Sequence, residues 1–281
     1  MANLVNLESV SHAFGTRVLL DGVCLGVGAG EVIGVVGRNG DGKTTLLRIL
    51  TGDLVPDSGR VTISNSASIG VLTQHQGGSP GETIRQVVLD GAADHVYAAR
   101  ADRREIVEAL LAGMDLDRPV ETLSGGERRR VGLVEVLLGD HDLIVLDEPT
   151  NHLDVEAIAF LASHLRSRTA AGLAMLVVSH DRWFLDAVCT RIWEVHDGVV
   201  DAYDGGYAAY VLARVERQRQ AAATEARRRN LARKELAWLR RGAPARTSKP
   251  KFRIEVAEAL ISDVPPPRDR LALEKFATSR L

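Results

Sequence analysis

Cysteine is almost missing from this 281-residue chain. Cys24 and Cys189 are too few and too far apart for a disulfide framework, which fits a reducing compartment. Aromatic residues are also scarce, at 4%, although a hydrophobic fraction of 45% allows a substantial core. No apolar run reaches the roughly 20 residues that a bilayer-spanning helix needs. The opening residues Met-Ala-Asn-Leu-Val-Asn hold neither a basic region nor an apolar signal core. Together these absences exclude a disulfide-stapled secreted module and a membrane-spanning chain, and the expected location is cytoplasmic. The length suits one large domain or two small ones.

The net charge of −2 conceals a division. From Arg214 to Arg253 there are fourteen Lys/Arg and three Glu, net +11, so the remainder carries −13. A basic arm on an acidic globule suggests a polyanionic partner, against the blander reading of a solvated charged helix.

Against that background one segment carries clear chemistry. Glu31 to Val36 is mostly β-branched and reads as a buried strand. It runs into Gly37-Arg38-Asn39-Gly40-Asp41-Gly42-Lys43-Thr44, after which Thr45 to Leu50 has helical spacing. That order is the context in which G-x-x-x-x-G-K-[ST] counts as a phosphate loop. Gly37, Gly40 and Gly42 let the backbone aim successive N–H groups at phosphate oxygens, and the helix adds its positive end. Lys43 reaches the β- and γ-phosphates, and the Thr44 hydroxyl is suited to Mg²⁺. Asn39 and Thr45 complete the expected nucleotide-binding segment. Asp41 puts a negative charge beside the phosphates, which is expected to weaken nucleotide affinity.

Two further strands deliver polar ends. Leu143-Ile-Val-Leu-Asp147-Glu148-Pro149-Thr150 is a buried run closing on two carboxylates. Asp147 suits a Mg²⁺ held mainly through water, and Glu148, one residue further, suits deprotonation of an attacking water. Leu173 to Val178 reads as another buried strand and brings Ser179-His180-Asp181 to the same sheet edge, where His180 links the γ-phosphate to Glu148. Ser124-Gly125-Gly126-Glu127 is a serine N-cap with glycines in the first helical turn, whose free N–H groups make an anion site.

In chain order (phosphate loop, Ser124 to Glu127, Leu143 to Thr150, Ser179 to Asp181) the four segments resemble an ATP-binding-cassette (ABC) ATPase. Glu-Pro-Thr-Asn-His-Leu-Asp (148–154), Ser-His-Asp-Arg-Trp-Phe-Leu-Asp (179–186) and the segment Trp238 to Arg253 are similar to the ABC-F subfamily in particular. The resemblance covers about Leu4 to Arg253. It implies ATP and Mg²⁺ as ligands, with Gln74 sensing the metal and the γ-phosphate (Gln76 is a close competitor) and Phe14 stacking on adenine. It also implies that Ser124, Gly125 and Gly126 meet the ATP of an opposite cassette. ABC-F proteins carry two cassettes joined by a helical linker and lack membrane domains. Characterised members bind the ribosome near its exit site, with the linker tip close to tRNA, and they regulate translation or relieve antibiotic-stalled ribosomes. The short interval between Gln74 and Leu123 leaves little room for the extra arm that some members insert there.

The expected fold is α/β: an ABC cassette of the P-loop class with a parallel core sheet, an antiparallel β subdomain and a helical subdomain, followed by an α-helical hairpin. Strands up to about Val27 and near Val61 to Thr73 are assigned to the antiparallel sheet, and Glu82 to Leu116 to helix. The expected domains are 1–205 (ATP-binding), 206–262 (basic hairpin linker, with Trp238 near its tip) and 263–281 (lead-in to a second cassette), which makes the chain an N-terminal half. Two other functions share the nucleotide motifs: the ATPase subunit of a membrane transporter, and a nucleotide-gated binding module with negligible turnover.

Overall fold

The computed structural model describes residues 3–72, 78–79, 81–92 and 101–240. In chain order the first elements are β1 (Asn3–Phe14), β2 (Arg17–Gly28), β3 (Val32–Gly37), α1 (Lys43–Leu50), β4 (Ser58–Ile63), β5 (Ile69–Leu72), α2 (Ile84–Leu89) and α3 (Ala101–Leu110). They are followed by α4 (Gly125–Leu138), β6 (Leu143–Asp147), α5 (Val155–Ala170), β7 (Ala174–Val178), α6 (Arg182–Val188), β8 (Arg191–His196), β9 (Val199–Asp204) and α7 (Tyr207–Arg240). The chain divides into two units, Met1–Leu212 and Ala213–Leu281.

In the first unit the strands form two sheets. One is three-stranded and antiparallel in the order β2-β1-β4. The other runs β5-β6-β7-β3-β8-β9 and is parallel except for the β8–β9 hairpin. The continuous apolar runs of β3, β6 and β7 follow from burial on both faces, as a parallel sheet requires. Ile33, Val35, Val145, Leu176 and Val178 face a cluster with α1 and the antiparallel sheet. Val32, Ile144, Leu146, Met175 and Val177 face the opposite cluster, built with the helices that include α4 and α5. Leu46, Ile49 and Leu50 seal α1 between the two sheets. Core packing thus fixes the strand whose end carries the phosphate loop.

Two local expectations change. The segment near 61–73 splits: β4 joins the antiparallel sheet, but β5 pairs in parallel with β6, Leu72 lying opposite Leu146. A four-residue apolar strand has no periodicity that tells one sheet from the other. The continuous helix over 82–116 is also interrupted. α2 ends at Asp90 and Gly91, both with positive φ (52° and 74°), and α3 stops at Leu110. The β8–β9 hairpin follows the last parallel strand and ends at Asp204.

Of the second unit, 213–240 are described, and they are helical. Glu225 there accepts from Arg228 (3.0 Å) and Arg229 (2.9 Å), which together hold its carboxyl below the usual range. Most residues of this stretch are exposed, as a helix with no wide apolar stripe should be. The basic tip, the second hairpin helix and 263–281 lie outside the described residues. None of the described helices is long and apolar enough to cross a membrane.

Candidate active site

β3 occupies the centre of the parallel sheet and ends at Gly37, where a Cβ would collide with the Val195 carbonyl. The chain then turns through 38–42 and enters α1 with Gly42 as N-cap at φ 100°, a left-handed geometry open to glycine. Gly42 supplies no side-chain acceptor, so the first-turn N–H groups of α1 are left for an external anion. Asn39, Gly40 and Thr44 are exposed, and Thr45 is half-buried behind them. Lys43 is 8% exposed, and its Nζ donates to the carbonyls of Gly37 and Arg38, both at 3.0 Å. The cation therefore sits under the loop, on the backbone that curls around it.

Asp41 is tied down. Its carboxylate accepts from the Arg38 N–H at 2.9 Å and pairs with Arg17 Nη2 at 3.4 Å. That ion pair joins the loop to the β1–β2 turn, whose other end is Phe14, register partner of Arg17. Phe14 is 80% exposed and so belongs to no core.

β6 and β7 bring the carboxylates and the histidine to the same edge. Thr44 Oγ1, 103 residues distant in sequence, donates to Asp147 Oδ2 at 3.3 Å. Two adjacent oxygen ligands of an octahedral ion with bonds near 2.1 Å lie about 3 Å apart, so this hard-oxygen pair fits Mg²⁺. Glu148 adopts φ 52°. Its N–H donates to the Val178 carbonyl at 2.8 Å, its Oε2 accepts from the His180 N–H at 3.3 Å, and its Oε1 lies 3.4 Å from His180 Nε2. Burial raises the Glu148 carboxyl above its ordinary value, and the neighbouring Asp147 charge adds to this. The His180 and Lys43 interactions oppose the shift without cancelling it. A carboxylate of raised basicity, half-buried at a strand end, is equipped to take a proton from water. Behind it, the Thr150 and Ser179 hydroxyls lie 3.1 Å apart in a buried contact that links the two loops.

Ser124, Gly125 and Gly126 open α4. Ser124 Oγ accepts from the Glu127 N–H (3.3 Å), and the Ser124 N–H donates to Glu127 Oε2 (2.8 Å), a reciprocal capping box. Arg118 clamps Glu127 at 2.8 and 3.1 Å. Chiefly through Arg118, and then Ser124, the Glu127 carboxyl falls to about 2. A Cβ at Gly125 would meet nothing within 4 Å, whereas one at Gly126 would approach the His152 ring at 3.1 Å. None of the hydrogen bonds made by these three residues reaches the phosphate loop among the described residues.

Gln74, and its competitor Gln76, lie outside the described residues. One contact at the site escaped the sequence reading. Arg129, on α4, donates through Nη2 to the Asp147 carbonyl and, at 3.3 Å, to that of Glu148. The run Arg128-Arg129-Arg130 behind the serine cap is the only sequence signal for it.

Comparison with known proteins agrees with this geometry. Residues 20–151 match a family model described as ABC transporter (ABC_tran), and residues 193–274 match a second of the same description (ABC_tran_Xtn). The chain is 35% identical over 298 residues to the energy-dependent translational throttle protein EttA of Mycobacterium tuberculosis, covering 92% of this chain and 52% of that protein. It is 33% identical over 256 residues to ABC transporter F family member 5 of Arabidopsis thaliana, covering 75% of this chain and 37% of that one. It spans about half the length of the curated relatives it matches. Among solved structures, the dimeric ATP-binding cassette MJ0796 bound to ADP and Pi aligns at TM-score 0.59 and 25% identity, over 71% of this chain and 98% of that one. The strand order, the phosphate loop and these matches place the chain in the ATP-binding-cassette family, in its ABC-F branch.

Proposed function

We propose that this chain is an ATP-binding and ATP-hydrolysing cassette that works with a second cassette and acts on the ribosome. The observation that carries the reading is the convergence of Thr44, Asp147, Glu148 and His180 beside the uncapped end of α1. Backbone N–H groups of Gly37 to Thr45, with Asn39 in the loop, cradle the phosphates, and Lys43 offsets their charge. Thr44, Asp147 and Gln74 would hold Mg²⁺, which would supply charge neutralisation on the phosphates. Phe14 stacks on adenine. Glu148 takes the proton of the water that attacks the γ-phosphorus in line, the bond to the ADP oxygen breaks, and His180 holds the carboxylate towards the γ-phosphate. Ser124, Gly125 and Gly126 close on the ATP of the opposite cassette.

In this reading 1–205 is the ATP-binding domain, 206–262 a basic hairpin that meets rRNA and tRNA, and 263–281 the lead-in to a second cassette. The name of the EttA relative, an energy-dependent translational throttle, supports a role in which nucleotide state regulates translation. Protection of antibiotic-stalled ribosomes is the related role within this reading, and both roles belong to the cytoplasm. The net charge of +11 between Arg214 and Arg253 supports a phosphate-rich partner.

The transporter-subunit reading is favoured only by the family description, since it uses the same nucleotide motifs and gives the basic segment no task. Cosedimentation with ribosomes across a salt series decides between them. Replacing Arg240, Arg241, Arg246, Lys249, Lys251 and Arg253 with neutral residues should weaken ribosome binding and flatten its salt slope while sparing ATP binding. Unchanged affinity and slope would remove the ribosome from the account.

A further inference from the structure

Glu148 is held in a backbone conformation that a non-glycine residue keeps only when its surroundings impose it: φ is 52°. Besides a turn hydrogen bond from the Asn151 N–H to the Glu148 carbonyl (3.3 Å), three contacts hold it. The Glu148 N–H is bound to the Val178 carbonyl of β7, and the carboxylate to the His180 N–H. The third is the Arg129 guanidinium, which takes the successive carbonyls of Asp147 and Glu148. The first two come from β7 and the loop that follows it. Arg129 comes from α4, the helix that begins at the exposed Ser124 and Gly125 and the half-buried Gly126. Its Nε is buried with no hydrogen-bond partner among the described residues, so its polar contacts run through the Nη2 that grips the two carbonyls.

We infer that Arg129 is a positioning residue for hydrolysis, fixing the backbone at Asp147 and Glu148 from the helix that presents Ser124, Gly125 and Gly126. The inference rests on the reading of Glu148 as the base. An α-helix is rigid over the four residues from Gly125 to Arg129. A shift of its N-terminus when an anion docks there is therefore transmitted to the carbonyl that orients Glu148. Docking of the anion and placement of the base are then one event. The hydrogen bonds of Arg129 go to backbone carbonyls. Its effect should fall on turnover and leave nucleotide affinity nearly intact, because the phosphate loop and Lys43 lie on other elements.

The test uses R129M, which keeps side-chain bulk and removes the donors, with R129K and E148Q measured alongside. Each is assayed for kcat and KM for ATP, for binding of a fluorescent ATP analogue, and for thermal stability. R129M should lose about 10²-fold in kcat, the scale of an ångström-sized misplacement, with analogue affinity within about threefold of wild type. R129K should recover part of kcat, since one ammonium reaches one carbonyl. Wild-type kcat in R129M beside an inactive E148Q would overturn the inference and leave Glu148 as the base. Wild-type turnover in E148Q would instead remove the base reading. Parallel losses of affinity, stability and kcat, with no recovery in R129K, would mark Arg129 as merely structural and overturn the inference too. R129K alone serves if R129M does not fold: wild-type kcat there would also overturn it, because a single ammonium cannot span both carbonyls.

Discussion

Two helix N-termini in this chain are built to opposite plans. α1 begins at Gly42, with no side chain capping it, and its surroundings already hold a cation, a hydroxyl and two carboxylates: Lys43, Thr44, Asp147 and Glu148. α4 begins at Ser124 inside a capping box closed by Glu127 and Arg118, and beyond Gly125 there is open space. The first end gathers the groups that the proposed hydrolysis uses. The second has a donor end and room for an anion, but its own acidic group is spent on its own cap. The contrast teaches that one fold can leave one helix end free of any side-chain cap and close another with a reciprocal one.

The most severe way to break the contrast is at the carboxylate. Glu148→Gln keeps the shape but removes the base, and hydrolysis should fall by about 10² to 10⁴-fold with ATP binding retained. Single-turnover hydrolysis together with equilibrium binding measures both, and wild-type turnover would take Glu148 out of the reaction.

A smaller effect is expected in pH dependence. Burial raises the Glu148 carboxyl, and only its ionised form accepts a proton, so turnover should fall as pH drops through that raised value. The acidic limb should therefore lie above the ordinary carboxylate range. His180 is among the groups that lower the Glu148 value, so His180→Ala should move the limb to still higher pH. A limb that stays in place in this variant would mean that His180 does not act on Glu148.

The mildest change sharpens the other helix end. Ser124→Ala removes one arm of the capping box and should cost about 1 kcal/mol of stability, read from denaturant midpoints. Glu127, ionised down to about 2 in the folded chain, stabilises this end above its unfolded value, and that contribution is lost as pH falls towards 2. The Ser124 hydroxyl is one of the groups that lower Glu127, so the difference between Ser124→Ala and wild type should narrow on acidification, and a constant difference would mean that the hydroxyl does not act on Glu127.

Much of the candidate site was legible because its parts are short runs in fixed order. A β-branched strand, a glycine loop and Lys43-Thr44 announce their own geometry, and so does an apolar run ending in Asp147-Glu148. Contacts that depend on backbone shape were not legible. Nothing in the residue type of Glu148 reveals a φ of 52°, and nothing in Arg128-Arg129-Arg130 says that the middle arginine, of the three, takes two carbonyls. The ion pair between Arg17 and Asp41 was hidden for the same reason: it joins two elements that only the tertiary fold brings together. Sheet membership of Ile69 to Leu72 was ambiguous because four apolar residues fit either sheet.

Complementation in ATP hydrolysis tests the central claim most directly. Lys43→Ala disables the phosphate loop and leaves the α4 end intact. Gly125→Asp does the reverse, and its added side chain enters open space at a helix N-terminus where a carboxylate is tolerated, so the fold is preserved. The account predicts that each variant alone is nearly inactive, and that mixing them restores turnover, because the phosphate loop of one chain then meets the intact α4 end of the other. Wild-type turnover by Gly125→Asp alone, or a mixture no more active than its two components, would contradict it.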